Sequence, residues 1–310
     1  MKIEPFPLSC AFENAFDFQA EAGSVYLSGR SVEDRSHHSK SWQSSRGDVS
    51  IIDVLREESE RIEVGGAISC EIPLRSNAKL KEFWNSVPSG IVYLDITGLK
   101  HGTWASLLRG YTGRPERRLR VVYVEPLDYR MSPRPTQNEI YDLSDKIEGI
   151  KPLPGFARFR RSSGVSVFAP LLGFEGARLL YLLNQLEPPG QFVFPVIGVP
   201  GFRLEYPFET YWANRTALRE SQAWKKVLLA PANCPFATLS ILEWLLCRHA
   251  SSTVTVAHIG TKPQALAAIV CALRNPDRVE IVYDHPVRKA KRTEGLGRLH
   301  IYEVTGLLNQ

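Results

Sequence analysis

Val254-Thr-Val-Ala-His-Ile-Gly260-Thr-Lys262-Pro-Gln-Ala-Leu-Ala-Ala-Ile-Val270, followed after a short loop by Val279-Glu-Ile-Val-Tyr283, decides the fold. Residues 253–257 are β-branched or small, the composition of a strand buried on both faces. Gly260 permits a sharp turn into a helix of Ala, Leu and Ile, and Pro263 suits the first helical turn, where its missing N–H costs nothing. The stretch predicts strand, turn, helix and strand, with the turn at the carboxyl end of a sheet strand. Free N–H groups of the helix start, the Thr261 hydroxyl and the Lys262 ammonium would meet there, a combination that favours an anion.

An earlier stretch repeats the design. Ile91-Val-Tyr-Leu-Asp-Ile-Thr97-Gly98-Leu-Lys100-His-Gly-Thr-Trp-Ala-Ser-Leu-Leu108 lies on the later one without a gap, Gly98 over Gly260 and Lys100 over Lys262. Strands ending in tyrosine follow both, Val121–Tyr123 and Ile281–Tyr283. Any β–turn–α unit favours glycine at its turn, so one copy alone has an equally good reading as coincidence. The matched Gly-x-Lys and the similar distance to the next strand favour a duplicated Rossmann-like unit.

These residues resemble the ligand side of CARF domains (CRISPR-associated Rossmann fold) and of the related SAVED domains, which fuse two such units in one chain. The likeness rests on Asp95-Ile-Thr-Gly98 and Gly260-Thr-Lys-Pro263 after strands, on the small-residue helices, and on Val165-Ser-Val-Phe-Ala-Pro-Leu-Leu-Gly173-Phe-Glu175-Gly-Ala-Arg178 as a first strand, loop and helix. It covers roughly residues 164–290 well and 23–130 loosely. Ile259 stands where the family has the first of two glycines, and Leu99 where the first copy would carry threonine. The resemblance implies a cyclic oligonucleotide or other nucleotide as ligand and a place in prokaryotic antiviral defence. Its ligand-side positions fall on Gly260, Thr261, Lys262 and Gly173 in the second half, and on Thr97, Gly98 and Lys100 in the first.

At 310 residues the chain has room for two units of about 150 residues or one large domain. Composition, 44% hydrophobic and 23% charged, is that of a globular protein. No apolar run approaches the roughly 18 residues of a membrane span, and the start lacks a signal peptide's apolar core. Five scattered cysteines suit a reducing cytoplasm rather than a disulfide frame or zinc cluster. Residues 1–150 carry 19 Lys and Arg against 22 Asp and Glu, net −3, whereas residues 151–310 carry 19 against 11, net +8. The basic half is therefore the better seat for an anionic ligand, although a nucleic-acid duplex calls for a more continuous basic face.

Residues 1–22 read as an N-terminal arm or edge strand, 23–126 as the first unit, 127–163 as a linker and 164–310 as the second unit. In the first unit, Ser24–Ser28 is a strand and Ser31–Gly47 a polar loop. That loop is either solvated or brings Arg30, Arg35, His37 and His38 to a ligand. Ile51–Glu63 has the spacing of an amphipathic helix, and Leu80–Val87 that of another. Prolines 126, 133 and 135 argue against regular structure in the linker, which ends in the cluster Arg158, Arg160 and Arg161. The second half alternates strands (Val165–Ala169, Phe192–Ile197, Val227–Ala230, the Val254 and Val279 strands, Leu299–Val304) with helices (Gly176–Leu186, Glu209–Ser221, Phe236–His249 and the Gln264 helix). Such alternation predicts an α/β fold of mostly parallel sheets with helices on both faces. Loops leaving the carboxyl ends of those strands bring Glu175, Asn233 and Thr261 among apolar neighbours, with Asn214 and Trp212 nearby unless Trp212 anchors its helix in the core. Arg288, Lys289, Lys291 and Arg292 follow in a basic loop, read equally as a phosphate clamp and as a solvated segment.

Walker A, Gly-x-Ser-x-Gly, His-Glu-x-x-His, Cys-x-x-Cys and Gly-x-Gly-x-x-Gly are all missing, so neither NAD use nor a standard catalytic centre is indicated, and no cofactor is expected. His258 before the turn is a candidate base, more commonly a structural residue. The expected function is a cyclic oligonucleotide sensor that signals through an effector protein chain or by homo-oligomerisation. The alternatives are a metal-independent ring nuclease, in which Lys262 would stabilise charge on phosphorus, and a scaffold subunit that has lost its ligand.

Overall fold

A computed structural model describes residues 8–29, 31–111, 117–136, 139–141, 143–157 and 166–308. They form two compact units, one of residues up to 128 together with those from 293 onward, the other of residues 129–292.

The second unit follows the alternation closely. Its sheet holds β11 (Ser166–Leu171), β12 (Val196–Gly198), β13 (Leu228–Ala230), β14 (Thr253–His258) and β15 (Val279–Val282), all parallel, in the order β13-β12-β11-β14-β15. Counted along the chain this is 3-2-1-4-5, the order of a doubly wound sheet, and it reverses between β11 and β14. Right-handed crossovers in opposite directions from β11 put α3 (Gly176–Leu186) and α4 (Tyr206–Glu220) on one face and α5 (Pro235–Arg248) and α6 (Lys262–Arg274) on the other. Accordingly α3 packs on α4 and α5 on α6. Leu179, Leu182, Val193, Ile197 and Leu218 fill the first layer. Residues 263–272 of α6 are buried on every side, which its Ala-rich sequence allows.

The first unit keeps a parallel centre with antiparallel flanks. Its strands are β1 (Ser9–Phe12), β2 (Val25–Gly29), β3 (Ser50–Glu57), β4 (Arg61–Gly66), β5 (Cys70–Pro73), β6 (Gly90–Asp95) and β7 (Arg117–Val124), with α1 (Asn77–Ser86) and α2 (His101–Tyr111). The four strands β7-β6-β2-β3 are mutually parallel, and β4 and β5 extend them as a meander. Ile91–Leu108 is strand, turn and helix, as its alignment with the later stretch predicts.

Several segments differ from their sequence reading. Ile51–Glu63 is not a helix but most of the β3–β4 hairpin: Ile52 and Val54 face inward on one strand and Ile62 and Val64 on the other, a period of two that β-branched residues favour. The Leu299–Glu303 strand belongs to the first sheet, antiparallel to both β1 and β7. Of the segment read as linker, Met131–Thr136 (β8), Glu139–Tyr141 (β9) and Ser144–Ile147 (β10) are strands. Pro133 and Pro135 are tolerated because β8 lies in a two-stranded ribbon with one free edge. The polar segment 31–47 is only partly solvated: Asp34, Lys40 and Ser41 are exposed, but Arg35, Ser36, His38, Ser39 and Trp42 are buried. The basic loop contains β16 (Pro286–Arg288), paired antiparallel with β10. Arg30, Arg158, Arg160 and Arg161 lie outside the described residues.

Candidate functional site

Two loops leave the sheet where its strand order reverses, Leu172–Glu175 after β11 and Ile259–Thr261 after β14, and a crevice lies beside them. Backbone proximity dictates their glycines. A Cβ on Gly173 would stand 2.6 Å from the Ile259 carbonyl oxygen, and one on Gly260 would stand 2.7 Å from that of Leu172. Neither glycine has room for a side chain, whatever the ligand.

Thr261 caps α6. Its hydroxyl accepts from the Gln264 N–H at 3.4 Å and donates to the Ala232 carbonyl at 2.7 Å, and Gln264 Oε1 accepts weakly from the Thr261 N–H at 3.5 Å. That contact fixes the amide's orientation, because a flipped amide would set donor against donor. Gln264 is 0% exposed, lines the crevice, and its Nε2 has no hydrogen-bond partner among the described residues. A buried unsatisfied donor is costly, about 1–3 kcal/mol.

Charge enters from behind. Arg178, fully buried on α3, meets Asp284 through two parallel bonds of 2.7 and 2.6 Å, and its third nitrogen reaches Glu175 and the Ile259 carbonyl, each at 3.2 Å. Glu175 also accepts from Arg288 at 2.9 Å, and Arg288 donates to Ser144 Oγ at 3.1 Å. Burial favours a neutral Arg178, but hydrogen bonding and attraction to Asp284 outweigh it and raise its pKa. Burial likewise opposes ionisation of Glu175 and Asp284, and the arginines overcome it, Arg288 and Arg178 for Glu175 and chiefly Arg178 for Asp284, so both carboxyls stay below their ordinary range. Arg178, Arg288, Arg292 and Glu175 line the crevice. Asp284 balances Arg178, and Glu175 pairs with Arg288.

Rings close the outer side. Phe174 packs on Tyr141, Tyr206 and Tyr129 with centroids 4.5, 5.0 and 5.2 Å apart, and Tyr141 donates to Glu209 at 2.5 Å. The cavity is about 70 Å³, small beside the roughly 300–1,000 Å³ of ordinary ligand pockets.

Of the residues singled out in the sequence, Gly173, Glu175, Gly260 and Thr261 come together here. Glu175 is held by two arginines and Thr261 by its capping bonds. Lys262, half-buried at the first position of α6, and Asn233, also half-buried, are not among the crevice residues. Asn214 supports the site from behind, its Nδ2 donating to the Gly173 carbonyl at 2.8 Å. Trp212 is not a core anchor, being 50% exposed. His258 stacks on Tyr283 at 4.6 Å; burial first, then the charge of Arg178, lower its pKa to about 3, leaving a neutral imidazole. Gln264, Arg178 and the aromatic cap carry the site yet escape a search for Gly-x-Lys. Thr-x-x-Gln, the capping-box spacing, is the signal that points to Gln264.

The corresponding edge of the first unit is filled. Asp95 Oδ2 accepts from Tyr26 Oη at 2.8 Å and meets His38 Nε2 at 2.9 Å. Arg35 donates to the Val124 carbonyl at 2.8 Å and to Glu33 at 2.7 Å, and His37 is half-buried beside it in the chain. Thr97 Oγ1 accepts from the Val124 N–H at 3.0 Å, a Cβ on Gly98 would stand 1.9 Å from the Gly29 carbonyl oxygen, and Lys100 Nζ donates to the Glu57 carbonyl at 3.0 Å. Thr97, Gly98 and Lys100 are thus engaged within their own unit.

Among the described residues, no group of His, Cys, Asp and Glu could hold a metal ion, and no helix is long and apolar enough to cross a membrane. Neither the protein-family models, nor the curated proteins, nor the solved structures give a match to this chain.

Proposed function

We propose that this protein is a nucleotide sensor whose second unit takes a phosphate of its ligand into the crevice between Leu172–Glu175 and Ile259–Thr261. Following the likeness to CARF and SAVED domains, the ligand is a cyclic oligonucleotide of a prokaryotic antiviral response, and its arrival is passed to a partner chain or expressed by self-assembly. Gln264 Nε2 carries the reading: a fully buried donor without a partner among the described residues, at the start of a thirteen-residue helix whose dipole favours negative charge. Arg178, Arg288 and Arg292 in the lining favour an anion over a neutral ligand. Sugar and base then lie against Tyr129 and Phe174, the partly exposed rings of the lining.

The test is a thermal-shift series with cyclic di-, tri-, tetra- and hexanucleotides, with inorganic phosphate and linear ATP beside them. A true ligand at a hundredfold excess over its dissociation constant stabilises the protein by about 2.7 kcal/mol. In Gln264→Leu the affinity for that nucleotide should fall roughly 10- to 150-fold, the value of about 1.5–3 kcal/mol for a hydrogen bond to a charged group. The small cavity favours a second reading, a ligand-free scaffold, and that reading leads if no nucleotide raises the melting temperature of the wild-type protein.

A further inference from the structure

Helix α4 is built inside out. Its inward residues are mostly small or polar, Thr210, Ala213, Asn214 and Ala217, because α3 crosses so closely that a Cβ on Gly176 would stand 1.9 Å from the Ala213 carbonyl oxygen. Tyr206 and Leu218 are buried at its two ends, but three large residues between them point out: Phe208 is 77% exposed, Tyr211 44% and Trp212 50%. At 3.6 residues per turn Phe208, Tyr211, Trp212, Arg215 and Arg219 fall within an arc of roughly 100° and run about 16 Å along the helix. Leu204, 86% exposed, continues the stripe before the first turn. Single exposed aromatic residues are ordinary, but a contiguous stripe of them on one helix marks a contact surface. Tryptophan, tyrosine and arginine are also the residues on which interface energy concentrates.

Charge selects the occupant. Glu205 stands at the amino end of the stripe, and Arg215 and Arg219 at the carboxyl end, with the rings between. A stripe that is acidic, aromatic and then basic is complementary to itself when two copies run antiparallel. We propose that α4 is the two-fold interface of a homodimer, with Tyr211 and Trp212 of the two copies at its centre. About that centre Glu205 of one copy faces Arg219 of the other, and Phe208 faces Arg215. The guanidinium of Arg215 already lies 3.9 Å from the centre of its own Trp212 ring, so it is set to stack on a second ring. Glu205 pairs with Arg203 at 2.9 Å, but both side chains are about half exposed, and such a pair exchanges partners at little cost. Isologous contacts require this self-complementarity, and α4 meets it within one helix. The inference stands independently of any ligand in the crevice.

Sedimentation equilibrium of the full-length protein tests it. The expected result is a monomer–dimer equilibrium in which Trp212→Glu raises the dissociation constant about 30-fold or more, the effect of losing a central interface residue. Glu205→Arg and Arg219→Glu should each weaken the dimer, and the two together should restore it, because reversal exchanges the charges across the two-fold axis. A protein that stays monomeric at every concentration overturns the proposal, as does a dimer indifferent to Trp212→Glu or a double reversal weaker than either single one. Quenching of tryptophan fluorescence by oligothymidylate in a monomeric protein, absent in Trp212→Glu, would assign the stripe to single-stranded nucleic acid instead.

Discussion

Replacing Asp284 by alanine should destabilise the second unit by about 3 kcal/mol, the low end of the roughly 3–5 kcal/mol that follows when one partner of a buried ion pair is removed. The low end applies because Arg178, whose side chain is 2% exposed, keeps Glu175 at 3.2 Å after losing its two bonds to Asp284, a side chain with no exposure at all. Urea denaturation followed by circular dichroism reads the change as a lower midpoint. Adding Arg178→Met should recover most of the loss, since the cost lies in the stranded charge rather than in the pair's own worth. Acidity provides a second handle. Asp284 and Glu175 both have folded pKa values below their unfolded ones, so the stability they contribute is complete above about pH 4 and is lost as the pH falls through the folded values. The Asp284→Ala protein should therefore lose less additional stability on acidification than the wild type. A cost below about 0.5 kcal/mol, or a double variant less stable than Asp284→Ala alone, would refute this account of the network.

Two further outcomes are expected. Gly173→Ala forces a Cβ to 2.6 Å from the Ile259 carbonyl oxygen, so it should lower stability by about 1–3 kcal/mol and abolish the nucleotide-induced rise in melting temperature, both measurable in one thermal series. Lys262→Ala acts on the crevice only through space, so calorimetric titration should show nucleotide affinity falling no more than about fivefold, while Lys100→Ala, tied to Glu57 in the other unit, should leave it unchanged.

Where one periodicity dominated, the chain was legible: the second unit's strands and helices follow from alternating β-branched and Ala/Leu-rich runs, whereas the strand order, and with it the reversal beside Gly260, depends on long-range pairing. Ile51–Glu63 misleads because five apolar residues among charges fit a helix and a hairpin about equally over so short a span, and pairing with β2 decides for strands. Pro133 and Pro135 mislead for another reason, since what they forbid is a central strand, not an edge. Ser31–Gly47 looks solvated until its partners are known. Arg35 and His38 are buried because Glu33, Val124, Tyr26 and Asp95 satisfy them, and most of those partners are distant in sequence. Trp212 points outward although tryptophan is usually buried, because Gly176 and Ala213 bring α3 and α4 too close for a large ring between them.

The two copies of strand–turn–helix show what the shared Gly-x-Lys does and does not mean. Both glycines are demanded by neighbouring backbone, 1.9 Å from a would-be Cβ on Gly98 and 2.7 Å on Gly260, so sterics alone accounts for them. What separates the copies is charge. Alignment on the glycines sets Asp95 against Ala257, and Asp95 is 2% exposed and ionised: burial opposes its charge, but hydrogen bonding and attraction to His38 prevail and hold its pKa low. Asp95 is committed to His38 and Tyr26 at the end of β6, and Leu99, 1% exposed, packs against Gly29. The second unit has alanine at that place, three arginines lining the crevice and a Gln264 amide donor that meets no acceptor among the described residues. The repeated turn is thus a device for closing strand onto helix, and on the proposed reading an anionic ligand sits at the second copy rather than the first.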